Sequence, residues 1–383
     1  MPKMAQMVVN QKRSGIREIV ELSQGIEGVY HMEIGEPLFQ TPMNIIEAGC
    51  NALKEGYTKY TPNAGFMPLR KAISDRLNND YKLALKPENT VVTTGGVQAI
   101  ANAVRVLTEI GDEVLLPDPG WPNYENIIMS TGAVPVRYTL TPENGFLPSF
   151  EELKKLITPK TKVLIVNTPS NPLGVIFPEK TMKEIVSFVK ENDLFLISDE
   201  VYEKIVFKGK HVSALNYDTD DRVVAIYTMS KSYAMTGWRV GYAVASEDII
   251  AQMTKMQEAY VSCTPAVSQK AAEAALTGPQ DFIESAKESY LKNRDIAASI
   301  LNEYGIDYFM PEGAFYMWIN AKCEDSTGFA KELLLQRKVA VASGRTFGPS
   351  GKSFIRISLA SPEETVKNGV RLLAEYIKEK NLL

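Results

Sequence analysis

VVAIYTMSKSYAMTGWRVGY, residues 223–242, is the stretch around which the rest of the chain is organised. Its first six residues form a β-branched and aromatic run, which predicts a buried strand. Lys231 follows that strand next to Thr228 and Ser230, and Arg239 comes eight residues later. Arginine and hydroxyl groups match phosphate oxygens, and a neutral lysine amine forms imines with carbonyl groups. The stretch therefore predicts a phosphate site beside a reactive lysine.

The length and composition of the chain limit the class of protein to which it can belong. Its 383 residues exceed the roughly 250–300 at which single hydrophobic cores usually divide, so we expect a large domain and a smaller one. Hydrophobic residues make up 45%, charged residues 23%, and the formal net charge is −4. This composition is ordinary for a globular protein, and it predicts neither a nucleic-acid partner nor a membrane-binding surface.

The lack of a recognisable targeting segment and the pattern of cysteines favour the cytoplasm. The chain has no apolar run of about 18 residues, and its N-terminus has no signal-peptide core. Three widely spaced cysteines argue against a disulfide framework, and none has the C-x-x-C spacing of a zinc site. The two histidines, His31 and His211, lie in no recognisable motif. We therefore expect catalysis to use another base, for which lysine is the natural candidate.

Apolar runs alternate with helical patterns through the middle of the chain. This alternation favours a largely parallel sheet covered by helices on both faces. Functional groups then gather at the carboxyl ends of the strands. Asn171, Asp199 and Lys231 all come just after such runs, so we expect them to lie together. The predicted strands are 162–167, 194–199, 223–228 and 239–245.

Two glycines introduce a second phosphate-binding element. Residues 91–94 predict a strand, Gly95 and Gly96 follow, and an apolar-periodic helix then extends to Leu107. A helix that begins in this way presents free backbone N–H groups and its positive dipole end to an anion. The amides of Gly96 and Val97 are therefore candidates for the same phosphate, although a plain tight turn gives the same pattern.

Two charged residues stand in strongly apolar strands. Asp199 ends the run LFLISD, and Arg356 interrupts the run SFIRIS. A charge in such a place is costly unless it is paired. Asp199 could pair with a cationic ligand, or it could be a helix cap or part of a salt bridge at the end of the sheet. Arg356 predicts a bound anion.

These stretches resemble, in the correct order, the class I aminotransferases, which are pyridoxal phosphate enzymes of fold type I. Residues 228–242 are similar to the lysine signature S-x-S-K-x-x-x-x-x-G-x-R-x-G-Y, with Thr228 at its first serine. GEPLFQTP (35–42) and NTPSNPLG (167–174) resemble two further motifs, although many relatives carry aspartate at Leu38. The resemblance implies an aspartate aminotransferase-like α/β fold. Its large domain holds a mostly parallel, seven-stranded sheet covered by helices, and a smaller α+β domain follows.

The resemblance also implies roles for individual residues. Lys231 would hold pyridoxal 5′-phosphate through its amine and move the substrate proton, and Asp199 would pair with the pyridine nitrogen. Trp121 would stack on the ring, and Asn171 and Tyr202 would bind its phenolic oxygen. Trp121 and Asn171 would also touch the substrate. The phosphate would be held by Gly95, Gly96, Val97, Thr228, Ser230 and Arg239.

The remaining implied contacts involve the substrate and a second subunit. Gly35 and Arg356 would bind the substrate α-carboxylate. Tyr60 would reach the phosphate of the neighbouring subunit, so the enzyme would be a homodimer with shared sites. The implied domains are a large one at 46–285 and a small one at 286–383, with residues 1–45 packing against the small one.

The implied activity is transfer of an amino group between an L-amino acid and a 2-oxo acid by a ping-pong mechanism. Another pyridoxal phosphate reaction, such as β-elimination, decarboxylation, oxidation or cyclisation, would use the same residues. A cofactor-binding sensor fused to a DNA-binding module is a third reading. This chain shows no basic recognition helix that would favour it.

The position after the phosphate-binding glycines bears on the substrate side chain. Some aspartate-specific relatives carry a lysine there that reaches the distal carboxylate, whereas this chain has Val97. The resemblance therefore predicts a pocket for apolar or aromatic side chains. Arg13 or Arg17 could supply the missing charge instead.

Overall fold

The computed structural model describes residues 2–9, 11 and 13–380. In this part of the chain the α-helices are α1 (Gln6–Val9), α2 (Gly15–Ser23), α3 (Met43–Lys54), α4 (Met67–Tyr81), α5 (Gly96–Leu107), α6 (Asn123–Thr131), α7 (Phe150–Leu156), α8 (Glu179–Glu191), α9 (Met229–Ser232), α10 (Glu247–Val261), α11 (Ala266–Thr277), α12 (Asp281–Glu303), α13 (Ser326–Arg337) and α14 (Glu363–Glu379). The strands are β1 (Tyr30–His31), β2 (Thr90–Thr93), β3 (Glu113–Asp118), β4 (Val134–Thr139), β5 (Thr161–Asn167), β6 (Phe195–Asp199), β7 (Val223–Thr228), β8 (Gly241–Val244), β9 (Tyr308–Phe309), β10 (Tyr316–Asn320), β11 (Val339–Ala340), β12 (Ala342–Ser343) and β13 (Phe354–Ser358).

A seven-stranded sheet with the order β2-β8-β7-β6-β5-β3-β4 forms the centre of the described structure. Adjacent strands from β7 to β4 are parallel, and β8 is antiparallel to both of its neighbours. The predicted parallel sheet is therefore confirmed, with one reversed strand at residues 241–244.

The environment of β5 explains the continuous apolar run at residues 163–166. Val163 and Ile165 pack in the core formed with α5, α6 and α10. Leu164 and Val166 point to the opposite face, into the core formed with α8. Since successive side chains of a strand point to opposite faces, a sheet covered on both sides needs apolar residues at every position. The same burial leaves only the strand ends open to a ligand.

A four-stranded antiparallel sheet, β12-β13-β10-β9, forms a second layer. In β13, Ile355 and Ile357 enter a core shared with α12, α13 and α14. Arg356 lies between them and therefore projects from the opposite face, beside Trp318 of β10. Trp318 belongs to a core cluster of the large sheet. The strand alternation thus turns Arg356 toward the large sheet.

Two apolar stretches in this layer do not form single long strands. β10 begins only at Tyr316, because Ala314 has a φ of 57°, which strands do not adopt. Residues 338–344 are divided at Val341, so that β11 pairs with β1 and β12 pairs with β13.

The N-terminal segment lies against the second layer. β1 pairs with β11, and Glu18 of α2 forms an ion pair with Lys331 of α13 at 2.5 Å. Helix α12 runs without interruption through the boundary predicted at 285/286, so the domain limits stay a prediction. Over residues 2–9, 11 and 13–380, no helix combines the length and apolarity needed to cross a membrane.

Candidate active site

A cavity of about 410 Å³ opens where the two layers meet, at the carboxyl ends of β5, β6 and β7. It brings together most of the residues singled out in the sequence. Gly95 precedes Gly96 and does not itself line the cavity, and Tyr60, with 90% of its surface exposed, lies outside the cavity of its own chain. The predicted residues on the wall are Gly35, Gly96, Val97, Trp121, Asn171, Asp199, Tyr202, Thr228, Ser230, Lys231, Arg239 and Arg356.

Lys231 is held in the cavity by the turn that follows β7. The Thr228 side chain caps the short helix α9 by accepting a hydrogen bond from the Ser230 N–H at 3.2 Å. The Lys231 Nζ donates to the Gly35 carbonyl at 2.7 Å. Burial lowers the pKa of Lys231 to about 8, and nearby guanidinium groups lower it further against two opposing carboxylates. At pH 7 about a tenth of the amine is therefore neutral and able to act as a nucleophile.

Asp199 is a buried carboxylate that faces the cavity. It accepts a hydrogen bond from the Tyr124 hydroxyl and a longer one, 3.4 Å, from the Val201 N–H. Burial raises the pKa of Asp199 to about 6, although both hydrogen bonds oppose the shift. Within the described residues it forms no salt bridge. An ionised Asp199 therefore calls for a cation supplied by a ligand.

The predicted phosphate site has the geometry of an anion cradle. Gly95 has a φ of 83°, and a Cβ there would lie 2.7 Å from the Arg239 Nη2. A Cβ at Gly241 would lie 2.5 Å from the Gly96 nitrogen. Glycine at both positions therefore lets the Arg239 guanidinium come close to the first turn of α5. The backbone amides of that turn have no hydrogen-bond acceptor within the helix. The hydroxyls of Thr228 and Ser230 complete this wall of the cavity.

Arg356 presents a nearly buried guanidinium on the opposite wall, with 1% of its surface exposed. It donates to the Asn171 Oδ1 at 3.1 Å and to the Glu33 carbonyl oxygen. Its Nε is buried and has no partner in the described part of the chain. The guanidinium also lies over the Tyr316 ring, 4.3 Å from the centroid. A rigid fork with unused donors matches a carboxylate.

Several residues of the site could not be found in the sequence. Tyr124 holds Asp199, and Tyr316 shares a 2.7 Å hydrogen bond with Tyr202. Glu36 lies on the wall and accepts a hydrogen bond from Thr236. These contacts join residues that are far apart along the chain, so only the tertiary structure reveals them.

The described residues fit a ligand of defined chemistry. The cradle at Gly96 and Arg239 suits a phosphate, Asp199 suits a protonated ring nitrogen, and the Lys231 amine suits a carbonyl carbon. Arg356 lies across the cavity, where it suits the carboxylate of a second molecule. Pyridoxal 5′-phosphate beside an amino acid satisfies all four groups.

Comparison with known proteins identifies the family of the chain. A sequence profile of the family described as "Aminotransferase class I and II" matches residues 27–373. The putative aminotransferase YugH of Bacillus subtilis (strain 168) is 36% identical over 370 residues, covering 96% of each protein. The aromatic-amino-acid aminotransferase 2 of Thermococcus litoralis is 35% identical over 377 residues, covering 97% of each.

A solved structure of the aspartate aminotransferase from Thermus thermophilus with maleate matches with a TM-score of 0.93 at 32% identity. The match covers 98% of this chain and 100% of that chain. The predicted fold and the predicted class of enzyme are therefore confirmed. The chain belongs to the aminotransferase class I and II family, and it is an aminotransferase.

Proposed function

We propose that this aminotransferase binds pyridoxal 5′-phosphate in the cavity and moves amino groups between L-amino acids and 2-oxo acids in two alternating half-reactions. One observation carries the proposal. The Lys231 amine, with its lowered pKa, lies in the same cavity as the anion cradle at Arg239 and the buried carboxylate of Asp199. The family to which the chain belongs uses this cofactor.

Each of these residues has a role in holding the cofactor. Lys231 would bond to it covalently, Arg239 and the Gly96 amide would hold its phosphate, and Asp199 would pair with its ring nitrogen. Trp121 lies on the same wall and offers a rigid aromatic face to the ring. When bound, the cofactor withdraws electrons from the substrate carbon that loses its proton.

Lys231 would also transfer the proton. Its amine, whose pKa burial lowers to about 8, would act as the base, because efficient proton transfer needs a pKa near the working pH. Its hydrogen bond to the Gly35 carbonyl fixes the position of the Lys231 Nζ in the cavity. Arg356 and Asn171 hold the substrate α-carboxylate and thereby orient the bond that breaks.

Five apolar or aromatic residues line the cavity beside its polar groups, namely Ile16, Ile34, Val97, Ile100 and Trp121. Val97 follows the phosphate-binding glycine in the first turn of α5, and it offers no charge to an acidic substrate. We infer that apolar and aromatic amino acids are good substrates.

A panel of amino acids and 2-oxo acids, read by product identification, tests this function. We expect amino transfer to the 2-oxo acid, with phenylalanine, leucine or methionine matching or exceeding aspartate in kcat/KM. Release of ammonia or carbon dioxide, or consumption of oxygen, in step with substrate loss would instead indicate one of the other cofactor-dependent reactions. An advantage of a hundredfold or more for aspartate would contradict the apolar pocket and leave the amino transfer intact.

We also propose that two copies of the chain form a dimer and that Tyr60 serves the site of the other copy. The segment that carries Tyr60 is anchored to α10 by a hydrogen bond from Asn63 to Glu258 at 2.8 Å. The Tyr60 phenol is nevertheless 90% exposed, and Tyr260 of α10 is 61% exposed. An anchored but uncovered phenol that lies outside its own cavity supports a role toward a second copy.

Tyr60→Phe tests this assignment. Because the variant loses one hydrogen bond to a charged group, we expect the dissociation constant of pyridoxal phosphate to rise by roughly ten- to a hundredfold. Equilibrium dialysis measures this constant, and sedimentation measures the oligomeric state, which should remain dimeric. Tyr260→Phe is the matched control and should change neither. A monomeric wild-type protein, or unchanged cofactor affinity in Tyr60→Phe, would contradict the proposal.

A further inference from the structure

Glu200 is a buried carboxylate that the proposed function leaves unused. It follows Asp199 directly at the end of β6 and is 0% exposed. Its carboxylate bonds to Ser198, two positions back, so it lies on the opposite side of the strand from the Asp199 side chain. Glu200 is not among the described residues that line the cavity. A second buried carboxylate beside Asp199 is costly, because like charges repel and neither is solvated by water.

Five hydrogen bonds hold the Glu200 carboxylate in place. The donors are the Tyr227 hydroxyl at 2.8 Å, the Ser198 hydroxyl and the His211 Nε2 at 2.9 Å, the Ala214 N–H at 3.0 Å and the Ser213 hydroxyl at 3.1 Å. Burial alone would raise the pKa of Glu200, but His211 and the other donors lower it overall. Glu200 is therefore an anion at neutral pH.

The position of this charge is fixed by the two strands that carry the reactive groups. Tyr227 directly precedes Thr228, which caps the turn that holds Lys231. The Glu200 N–H donates to the Ile226 carbonyl at 2.9 Å. Glu200 thus joins the end of β6 to the end of β7 through both its backbone and its side chain, and its charge cannot move away from the strand ends.

The charge of Glu200 also acts on Asp199. Burial is the largest cause of the raised pKa of Asp199, and the negative charge of Glu200 adds to it. The hydrogen bonds from Tyr124 and the Val201 N–H and the charge of Lys231 act in the opposite direction. Solvent and salt screen such an interaction poorly in a buried site. A proton shared between Asp199 and a ring nitrogen is therefore held more tightly when Glu200 is ionised.

The next carboxylate along the chain has a different environment. Glu203 is paired with Arg76 at 2.8 Å and accepts a hydrogen bond from Tyr81 at 2.6 Å. The Tyr81 ring lies edge-on to the His211 ring, with centroids 5.8 Å apart. An arginine thus balances the charge of Glu203. Among the described residues Glu200 has no arginine or lysine partner, and its negative charge remains to act on its neighbours.

We propose that Glu200 is a positioning residue that acts through Asp199, because its fixed negative charge makes Asp199 and the ring nitrogen of the cofactor keep their shared proton. The inference rests on the proposed function for the ring nitrogen, whereas the effect on Asp199 is measurable in the apoprotein. Glu200 itself touches neither the cofactor nor the substrate.

Infrared spectroscopy of the apoprotein tests the effect of the charge. The difference between the wild-type and Asp199→Asn spectra isolates the carboxyl band of Asp199, which should titrate at about pH 6 in the wild type. In Glu200→Gln we expect this midpoint to fall by roughly one pH unit, because a nearby like charge is removed. Glu203→Gln is the matched control and should leave the midpoint in place, because Arg76 balances the charge of Glu203.

A second variant, Glu200→Asp, separates the charge from the contacts. It keeps the negative charge on a shorter side chain, so the Asp199 midpoint should stay within about half a pH unit of the wild type. Glu200→Gln is isosteric, and the Tyr227 hydroxyl can turn to accept from the new amide, so its fold should persist. In the holoenzyme, single-turnover kinetics should show proton abstraction slowed roughly three- to tenfold in Glu200→Gln.

Four results would each overturn the role of Glu200. They are an unchanged Asp199 midpoint in Glu200→Gln, an equal fall in Glu203→Gln, a fall of a full pH unit in Glu200→Asp, and an unchanged rate of proton abstraction in Glu200→Gln. A wild-type holoenzyme that transfers no amino group to any 2-oxo acid would overturn the proposed function instead, and the coupling between the two carboxylates of the apoprotein would still stand.

Discussion

Lys231→Ala is expected to abolish amino transfer. The change removes the amine that bonds to the cofactor and the base that moves the proton, and the loss of a general base alone costs about 10²–10⁴-fold. Among the described residues, the cavity wall contains no second lysine that could replace it. Single-turnover absorbance measurements on cofactor-saturated protein would show the loss. Lys210→Ala, which removes an exposed lysine away from the cavity, is the control and should keep the wild-type rate.

A chemical measurement identifies the bonded lysine directly. Borohydride treatment of the holoenzyme should leave the mass of the reduced cofactor on the peptide that contains Lys231. Since only the neutral amine reacts, the capture of pyridoxal phosphate by the apoprotein should accelerate as the pH rises through about 8 and then level off. An adduct on another lysine, or turnover by Lys231→Ala, would show that the assignment is wrong.

Asp199→Asn should have the second largest effect. It should slow the reaction and at the same time raise the stability of the apoprotein. Without the carboxylate, the ring nitrogen of the cofactor loses the partner that keeps it protonated. We expect proton abstraction to slow by roughly 10²–10³-fold, as when one preorganised electrostatic partner is removed. The amide oxygen can still accept the hydrogen bond from Tyr124, so the fold should persist.

The stability of the apoprotein follows from the raised pKa of Asp199. Between about pH 4 and pH 6 the folded state binds more protons than the unfolded state, so stability falls as the pH rises through this window. Above pH 6 the buried, ionised carboxylate costs roughly 3 kcal/mol. The free energy of unfolding of the Asp199→Asn apoprotein should therefore exceed that of the wild type by roughly 1–3 kcal/mol at pH 7.5, with the difference shrinking toward pH 4.

Urea denaturation at several pH values, combined with single-turnover kinetics, measures both effects. Tyr124→Phe is an informative companion, because it keeps the carboxylate and removes its hydrogen bond. It should slow proton abstraction by only about tenfold and should not stabilise the apoprotein. Near-normal turnover in Asp199→Asn, or a gain in stability that does not depend on pH, would show that the residue has a structural role.

Much of the fold could be predicted from local pattern. Residues 163–166 and 194–197 are apolar at every position, and a strand buried on both faces needs that pattern. Connections between parallel strands then place the strand ends at one edge of the sheet, which is why Asp199 and Lys231 could be expected to meet. Arg356 could be predicted to line the cavity because a charge inside an apolar strand must find a partner.

The sequence by itself thus determined the strand pattern and, through its motifs, the enzyme family, and it predicted which residues would line the cavity, because each of these leaves a signal within a few neighbouring positions. Tertiary structure alone decided which groups tune the chemistry of the cavity. Tyr124 bonds to Asp199 across 75 positions, and Tyr202 to Tyr316 across 114. Arg13 and Arg17 looked equivalent in the sequence, yet only Arg17 lines the cavity. Such contacts depend on how whole elements pack against one another, and a side chain carries no local mark of the partner that packing will bring to it.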